Sequence, residues 1–597
     1  MGDIQTEIGK VFSVSGNVIT VQLSDSIKSN MPIIDGVVYR IGQIGSFLKV
    51  PLGYANLYGI VTKTGAAAIP ESIVESTRQD YTEFDNRQWL HMVLVGEQTG
   101  SKFERGVSQS PTTEDSVHLV TIQDLDVIYG GYDDNNSITI GNISISESLN
   151  AKTDLNKLIS RHCAILGSTG SGKSNAVGVI LKAISGKDFK RARLLVIDPH
   201  GEYNSVLKHY SNVYKIKADS QEQQELFVPF WALPFEELLS IFSGNLSDQN
   251  KDYVREKIVA AKLKGIKSNS MDIEKVLVTA DTPVPFSIQQ VWFDLDDFER
   301  QTFKERAKPE TVTDKKVVGN ADELVSNEYE PASAGGGAPF LNNQAKGILG
   351  FLDSVRTKLK DSRYEFLFNP GCYAPNSQGK VNKDLSDLLF GWVSGNQNKP
   401  VTILDLSGVP GEIMASVSGT LLKIVYDALF WGQNLSVGGK EQPLLIVLEE
   451  AHNYLRAGEN SISSKAVQSI SKEGRKYGVG LLLVTQRPSE LDETVLSQCG
   501  TIVALRMNNS KDRGHIRSAI QDELQTMIDL LPSLRTGEAI ISGEGVKIPS
   551  RIQFFKLSNA PKGADPIVTV KWMEDKQAKV EDYRELLSVW RNQKLNR

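Results

Sequence analysis

Cysteine is nearly absent from this chain. Cys163, Cys372 and Cys499 are the three among 597 residues, scattered without the close spacing that a metal site or a disulfide framework requires. That excludes a zinc module and suits a reducing cytoplasm. Excess positive charge is absent too. With 66 Lys and Arg against 72 Asp and Glu, the net charge is −6, so the protein is not coated in basic surface. Any nucleic-acid contact must be confined to a local stripe or to a channel assembled between subunits. Apolar runs are short, and none is expected to approach the roughly eighteen residues that cross a bilayer. The start, Met1-Gly2-Asp3-Ile4-Gln5-Thr6-Glu7, carries no basic leader region. It fits the loose N-myristoylation pattern, but Asp3 and Glu7 would repel anionic lipid and no basic cluster supplies a second anchor. The expectation is a soluble protein with no membrane partner.

What is present argues for roughly two to four domains, since a chain this long exceeds one core. From residue 1 to about 135, short β-branched runs such as Val18-Ile19-Thr20-Val21-Gln22-Leu23 alternate with turns such as Ser15-Gly16-Asn17, which predicts a small all-β barrel. Its His91 and His118 are isolated and read as ordinary histidines. From about 150 the pattern changes to strands alternating with helices. Apolar runs at 163–166, 194–197, 401–404, 444–448, 479–484 and 502–505 each end in a polar or Gly residue. Near-continuous apolar strands mean a parallel sheet covered on both faces, with ligands at the carboxyl ends of its strands. That core occupies 150–229 and 400–560. Between them, 230–399 reads as a helical insertion whose polar stretch Glu305 to Asn342, with Gly335-Gly336-Gly337, is expected to be a mobile loop. The tail, 561–597, places Val580, Tyr583, Leu587 and Trp590 on one helical stripe and reads as a brace against this subunit or a neighbour.

The chemistry concentrates at four strand ends. Gly167-Ser168-Thr169-Gly170-Ser171-Gly172-Lys173-Ser174 matches the phosphate-loop pattern without a gap and follows the apolar run 163–166. Its glycines let backbone N–H groups curl around a polyphosphate, Lys173 is placed to reach the β- and γ-phosphates, and Ser174 to ligate Mg²⁺. With the next residue, Asn175, these positions form the expected ATP site. Binding alone is not hydrolysis, which needs carboxylates at a neighbouring strand end. Glu449-Glu450 after Leu444–Leu448 supplies them. Glu449 is expected to support the metal, directly or through water, and Glu450 to act as general base. Thr485 and Gln486, ending the run at 479–484, suit a γ-phosphate sensor or plain strand-end capping. Asp198, His200 and Glu202 serve equally an Asx-type turn or a site role.

Together GSTGSGKS, IDPHGEY, LEEAHNY and EGRKYGVGLLLVTQRP closely resemble the HerA group of hexameric ATPases, relatives of the FtsK DNA pumps. Against the general motif an Asp would stand at 449; the Glu449-Glu450 pair is normal for HerA proteins. The resemblance implies an α/β fold: a RecA-like P-loop core with a helical insertion, preceded by an N-terminal β-barrel and closed by a C-terminal brace. It also implies a homo-hexamer with ATP and Mg²⁺ at subunit boundaries and double-stranded DNA in the pore. Arg475, and less directly Arg161, would be the arginine supplied across the boundary; either could instead be a surface salt-bridge residue. From Asn453 to Lys476, five cations (Arg456, Lys465, Lys472, Arg475, Lys476) less two anions (Glu459, Glu473) give +3, which suits a pore loop or a solvated helix face. Lys262, Lys264 and Lys267 are the alternative pore candidates. The expected function is a hexameric DNA translocase or helicase working with a separate effector, a nuclease or an NAD-consuming enzyme. The rival is an assembly ATPase that scaffolds and controls such an effector in phage defence.

Overall fold

The computed structural model describes residues 6–24, 33–34, 37–38, 41–66, 88–144, 146–218, 220–242, 244, 246–306, 310–333, 335–394, 399–458, 461–520, 525–558, 568–573 and 579–591. The Met1-Gly2 lipidation pattern, Glu459 and the Trp590 side chain lie outside what is described.

Six antiparallel strands close the expected barrel. Their order is Val18–Leu23, Glu7–Ser15, Ser116–Leu119, Phe47–Leu52, Ala55–Ala66 and Gln88–Thr99, and Val18 pairs with Val93 to complete the ring. Alternate residues fill it: Ile8, Val11, Ile19, Val21, Leu48, Val50, Leu57, Val61, Leu90 and Met92 share one core. The Glu7–Ser15/Val18–Leu23 hairpin turns at Gly16, φ +63°, where a side chain would be strained. The barrel rests on the rest of the chain through Phe47 against Tyr129 and a half-buried Lys49–Asp124 ion pair at 3.1 Å.

A twelve-stranded mixed sheet organises the remainder. Its order is Ser146–Asp154, Ser137–Ile143, Ser550–Phe554, Glu538–Gly543, Thr501–Leu505, Cys163–Leu166, Val479–Thr485, Leu444–Leu448, Arg193–Asp198, Val401–Asp405, Ser211–Lys215 and Gln223–Glu225. All six apolar runs are strands. From Thr501–Leu505 to Gln223–Glu225 every ladder is parallel, and the other four strands add on antiparallel. The sheet begins at Ser137, earlier than the rhythm suggests, because Ser137–Ile143 and Ser146–Asp154 form a half-polar hairpin at the sheet's edge.

Two further features have plain causes. The polar stretch after Glu305 carries two short ribbons, Thr302–Phe303 with Phe340–Leu341 and Lys315–Val317 with Glu328–Tyr329. Carboxylates of helix Ile288–Arg300 tie it down: Asp297 Oδ1 accepts from Tyr329 Oη at 2.6 Å, and Glu299 accepts from the Lys346, Gly347 and Ile348 amides. Second, one segment among the described residues, Gly411–Trp431, is long and apolar enough by composition to span a bilayer. Its helix, Met414–Trp431, instead buries Val417, Leu421, Leu422, Val425 and Leu429 in the core. Most of that apolar stretch is buried against protein, so its hydropathy reflects core burial.

Candidate nucleotide site

The phosphate loop follows from local constraints. The fully buried strand Cys163–Leu166 delivers the chain to the carboxyl edge of the sheet. Gly170 and Gly172 then turn at φ +72° and +104°. A Cβ on Gly172 would stand 3.0 Å from the Gly537 backbone, so glycine is required there twice over. Helix Lys173–Ser185 starts at the lysine, and its unpaired first N–H groups and dipole face the loop. Lys173 Nζ donates to the Ser168 carbonyl at 3.2 Å. Burial pulls the pKa of this amine down, opposed by the Glu450, Glu449 and Glu202 carboxylates.

Register brings the other motifs to the same edge. Leu166 pairs with Thr485, and Ile197 with Leu448, so residues after each strand face one cleft. Thr169 Oγ1 donates to Gln486 Oε1 at 2.5 Å, joining the end of strand Val479–Thr485 to the phosphate loop. Asp198 proves to be the turn-former: its carboxylate accepts from the His200, Gly201 and Tyr203 amides at 2.9–3.2 Å. Burial first, then the neighbouring Asp405 and Glu202 charges, raise its pKa to about 6 despite those amides. The turn aims Glu202 at the loop, where Ser174 Oγ donates to its Oε2 at 2.7 Å.

A hydroxyl beside a carboxylate is a hard oxygen set that suits Mg²⁺ completed by phosphate and water. The carboxylate that meets Ser174 in this structure is Glu202. Glu449 is 6% exposed, and both its oxygens are engaged, Oε1 by Tyr203 Oη and Oε2 by the Glu450 amide. Burial, with the Asp198, Glu202 and Glu450 charges, pushes its pKa up to about 8. A carboxyl held that way has both oxygens committed to protein partners.

Glu450 is the opposite case. Its backbone sits at φ +49°, rare and costly for a side-chain-bearing residue. Its Oε2 lies 3.2 Å from His452 Nδ1, which is also 3.1 Å from Thr485 Oγ1. Burial alone would raise the Glu450 pKa, but His452, Lys173 and His200 outweigh it and hold the carboxyl below its usual range. Two adjacent glutamates are thus driven apart, one toward the acid and one toward the carboxylate, the pattern that separates structural from basic roles.

The arginines stand elsewhere. Arg475, exposed in the turn Gly474–Tyr477, precedes strand Val479–Thr485, and Arg161 caps helix Leu155–Ser160 before strand Cys163–Leu166. Both are at the amino edge, about 20 Å from the loop for Arg475 by strand rise. Arg161 is also paired with Glu544, Nε to Oε2 3.4 Å. Lys465 and Lys472 are exposed on the outer face of helix Ile462–Glu473, and Arg456 and Lys476 are exposed beside it. The insertion's Glu237 lies within electrostatic reach of Lys465. Lys262 is corrected as a pore candidate: it is 1% exposed, and its Nζ donates to the Ala280 and Thr282 carbonyls at 2.6 Å each. The Asn175 side chain bonds to the Phe555 and Leu557 backbone.

The site adds residues that the sequence reading passed over. His452 and Tyr203 hold the two glutamates, and Arg506 lies on the loop: its carbonyl accepts from Ser168 N at 3.0 Å and Oγ at 2.9 Å, and Nη2 approaches the Gly170 carbonyl at 3.4 Å. His452 carried a signal, two residues after Glu450 in a quoted motif; Arg506 carried none.

A family model described as "Helicase HerA, central domain" matches residues 138–425, and one described as "Helicase HerA-like C-terminal" matches 413–570. The chain belongs to the HerA-like helicase family. Family matching therefore begins at the first strand hairpin of the mixed sheet, after the barrel. Among its relatives, a probable helicase of Methanocaldococcus jannaschii is 26% identical over 443 residues, 73% of this chain and 74% of that protein. The DNA double-strand break repair helicase HerA of Pyrococcus furiosus is 25% identical over 451 residues, 72% and 71% of the two chains. Among solved structures, VirB4 of Thermoanaerobacter pseudethanolicus aligns with a TM-score of 0.43 at 12% identity, covering 72% of this chain and 99% of that one.

Proposed function

We propose that the chain is an ATP-hydrolysing DNA translocase that works as a ring of six. The observation that carries this is the split of the site between two sheet edges: loop, base and sensors at one, the arginine candidates at the other. A complete site then needs a second subunit to bring Arg475, or Arg161, onto the first subunit's loop. The loop amides and Lys173 hold the triphosphate. Ser174 and Glu202 would hold Mg²⁺, which when bound neutralises charge on the β- and γ-phosphate oxygens. Glu450, kept ionised by His452, accepts a proton from the water that attacks the γ-phosphorus. Thr485 and Gln486 follow the γ-phosphate, Gln486 through its bond to Thr169.

The basic face of helix Ile462–Glu473 leads directly into Arg475 and then strand Val479–Thr485, so a DNA-contacting face and the sensor lie on one continuous segment. Hydrolysis at one boundary can thus move the cationic face of the next subunit along the duplex backbone, without reading bases. The effector, a nuclease or an NAD-consuming enzyme, is proposed as a separate polypeptide. The test is steady-state ATP hydrolysis with and without duplex DNA, on protein whose mass has been measured. DNA-stimulated turnover by hexamers supports the motor. Turnover indifferent to DNA would favour the scaffold reading.

A further inference from the structure

The triphosphate end of the site leaves its other end undefined, and the sheet order says where that end must go. Strand Leu444–Leu448, which carries Glu450, is two places from Cys163–Leu166 on one side; Ser550–Phe554 is three places away on the other. Two successive antiparallel pairings return Ser550–Phe554 to the direction of the parallel strands, so the chain emerges from Phe554 at the same edge as the phosphate loop. A nucleotide with its γ-phosphate toward Glu450 and its inner phosphates on the helix start runs toward this side.

There the chain presents an aromatic ring. Phe554 is buried at 3%, but Phe555 is 42% exposed, although its backbone is fixed on both sides. Its amide donates to Ile140 O at 3.2 Å, and its carbonyl accepts from Asn175 Nδ2 at 2.8 Å. Asn175 Oδ1 accepts in turn from the Leu557 amide at 3.1 Å, and Leu557 lies against Gly178, where a Cβ would come within 2.7 Å of it. Segment Phe555–Leu557 is thus strapped along the first turns of the helix that begins at Lys173. A side chain that leaves an aromatic half-exposed on a rigid, doubly tethered backbone beside a phosphate loop is arranged to receive a flat ligand.

We propose that Phe555 is the stacking platform for the nucleobase of the bound triphosphate, and that Asn175 is the positioning residue that holds it there. This rests on the ATP-site reading and extends it to the nucleoside. It also gives Asn175 a role other than phosphate contact. Stacking on an aromatic face tolerates any base, so the subsite supplies affinity more than base identity.

Calorimetric titration of the full-length protein with Mg²⁺ and either the non-hydrolysable ATP analogue AMPPNP or inorganic tripolyphosphate separates base from phosphate binding. Phe555→Ala should weaken AMPPNP about five- to hundredfold and leave tripolyphosphate unchanged, while Phe555→Trp keeps both. Asn175→Ala should show the same split, which a general loosening of the loop would not. Unchanged AMPPNP affinity in Phe555→Ala, or equal losses for both probes, would overturn the proposal. Wild-type protein that binds both probes equally well would overturn it while sparing the phosphate-loop reading; wild-type protein that binds neither would overturn both.

Discussion

Replacing Arg475 with alanine tests the division of the site between subunits more sharply than any change at the phosphate loop. Arg475 is exposed before strand Val479–Thr485, whose seven residues separate it from the loop edge by about 20 Å. No rotamer spans that distance within one subunit. The variant should bind ATP normally, because every loop contact is intact, yet lose roughly 10³-fold or more in kcat if the arginine completes the neighbour's site. Mixing makes the geometry quantitative. In rings formed from equal amounts of Arg475→Ala and Glu450→Gln, a boundary works only when an Arg475→Ala subunit, whose base is intact, meets a Glu450→Gln subunit, whose arginine is intact. Each condition holds for half the subunits, so one half times one half leaves about a quarter of boundaries complete if assembly is random. Each parent alone should be nearly silent, and the mixture should recover up to about a quarter of wild-type turnover. An arginine acting within its own subunit would give no recovery, since no subunit carries both groups. Mass measurement of co-assembled rings, followed by steady-state phosphate release, is the assay. Silence in rings shown to be mixed would refute the trans assignment of Arg475 and turn attention to Arg161.

Lys173→Ala should weaken ATP binding, whereas Glu450→Gln should bind ATP and fail to turn it over; wild-type hydrolysis by the latter removes Glu450 from the base role. His452→Ala removes a group that keeps the Glu450 carboxyl low, so the acid limb of the kcat profile, where activity falls as pH drops through the Glu450 pKa, should move to higher pH; an unmoved limb separates the two residues. Arg551 donates to both oxygens of buried Glu538 at 2.7 and 2.9 Å, so Arg551→Met should cost about 3 kcal/mol by thermal or denaturant unfolding. Burial would raise the Glu538 pKa, but Arg551 and the Arg535 amide lower it from 4.5 to about 2; that stability is full above pH 4.5, is lost as pH falls toward 2, and should be missing from the variant's pH dependence. Charge reversal at Lys465 or Lys472 should weaken binding to all duplexes alike and flatten its salt dependence while the ring persists, as read by anisotropy at several salt concentrations.

Local sequence was enough wherever a short stretch must satisfy its own geometry. The glycines at 170 and 172 are required by their own φ angles, and the lysine and serine that follow open the helix, so the phosphate loop reads from its eight residues. The apolar runs also needed no context, because a strand buried on both faces is apolar at every position. Even the barrel announces itself through alternation and turn residues. What decided the rest was pairing between distant segments. Ser137–Ile143 reads as an ordinary half-polar stretch until Ser550–Phe554 lies beside it. Glu202 and Glu449 both stand at strand ends as carboxylates, and only the tertiary structure places Glu202 on Ser174 and Glu449 on Tyr203. Lys262 reads as a surface cation, and its burial depends on carbonyls near residue 280. Charge on a buried group is set by neighbours brought from elsewhere in the chain, and the motifs name the groups without fixing those neighbours. Parallel register, in which Leu166 meets Thr485 and Ile197 meets Leu448, turned four separate motifs into one cleft.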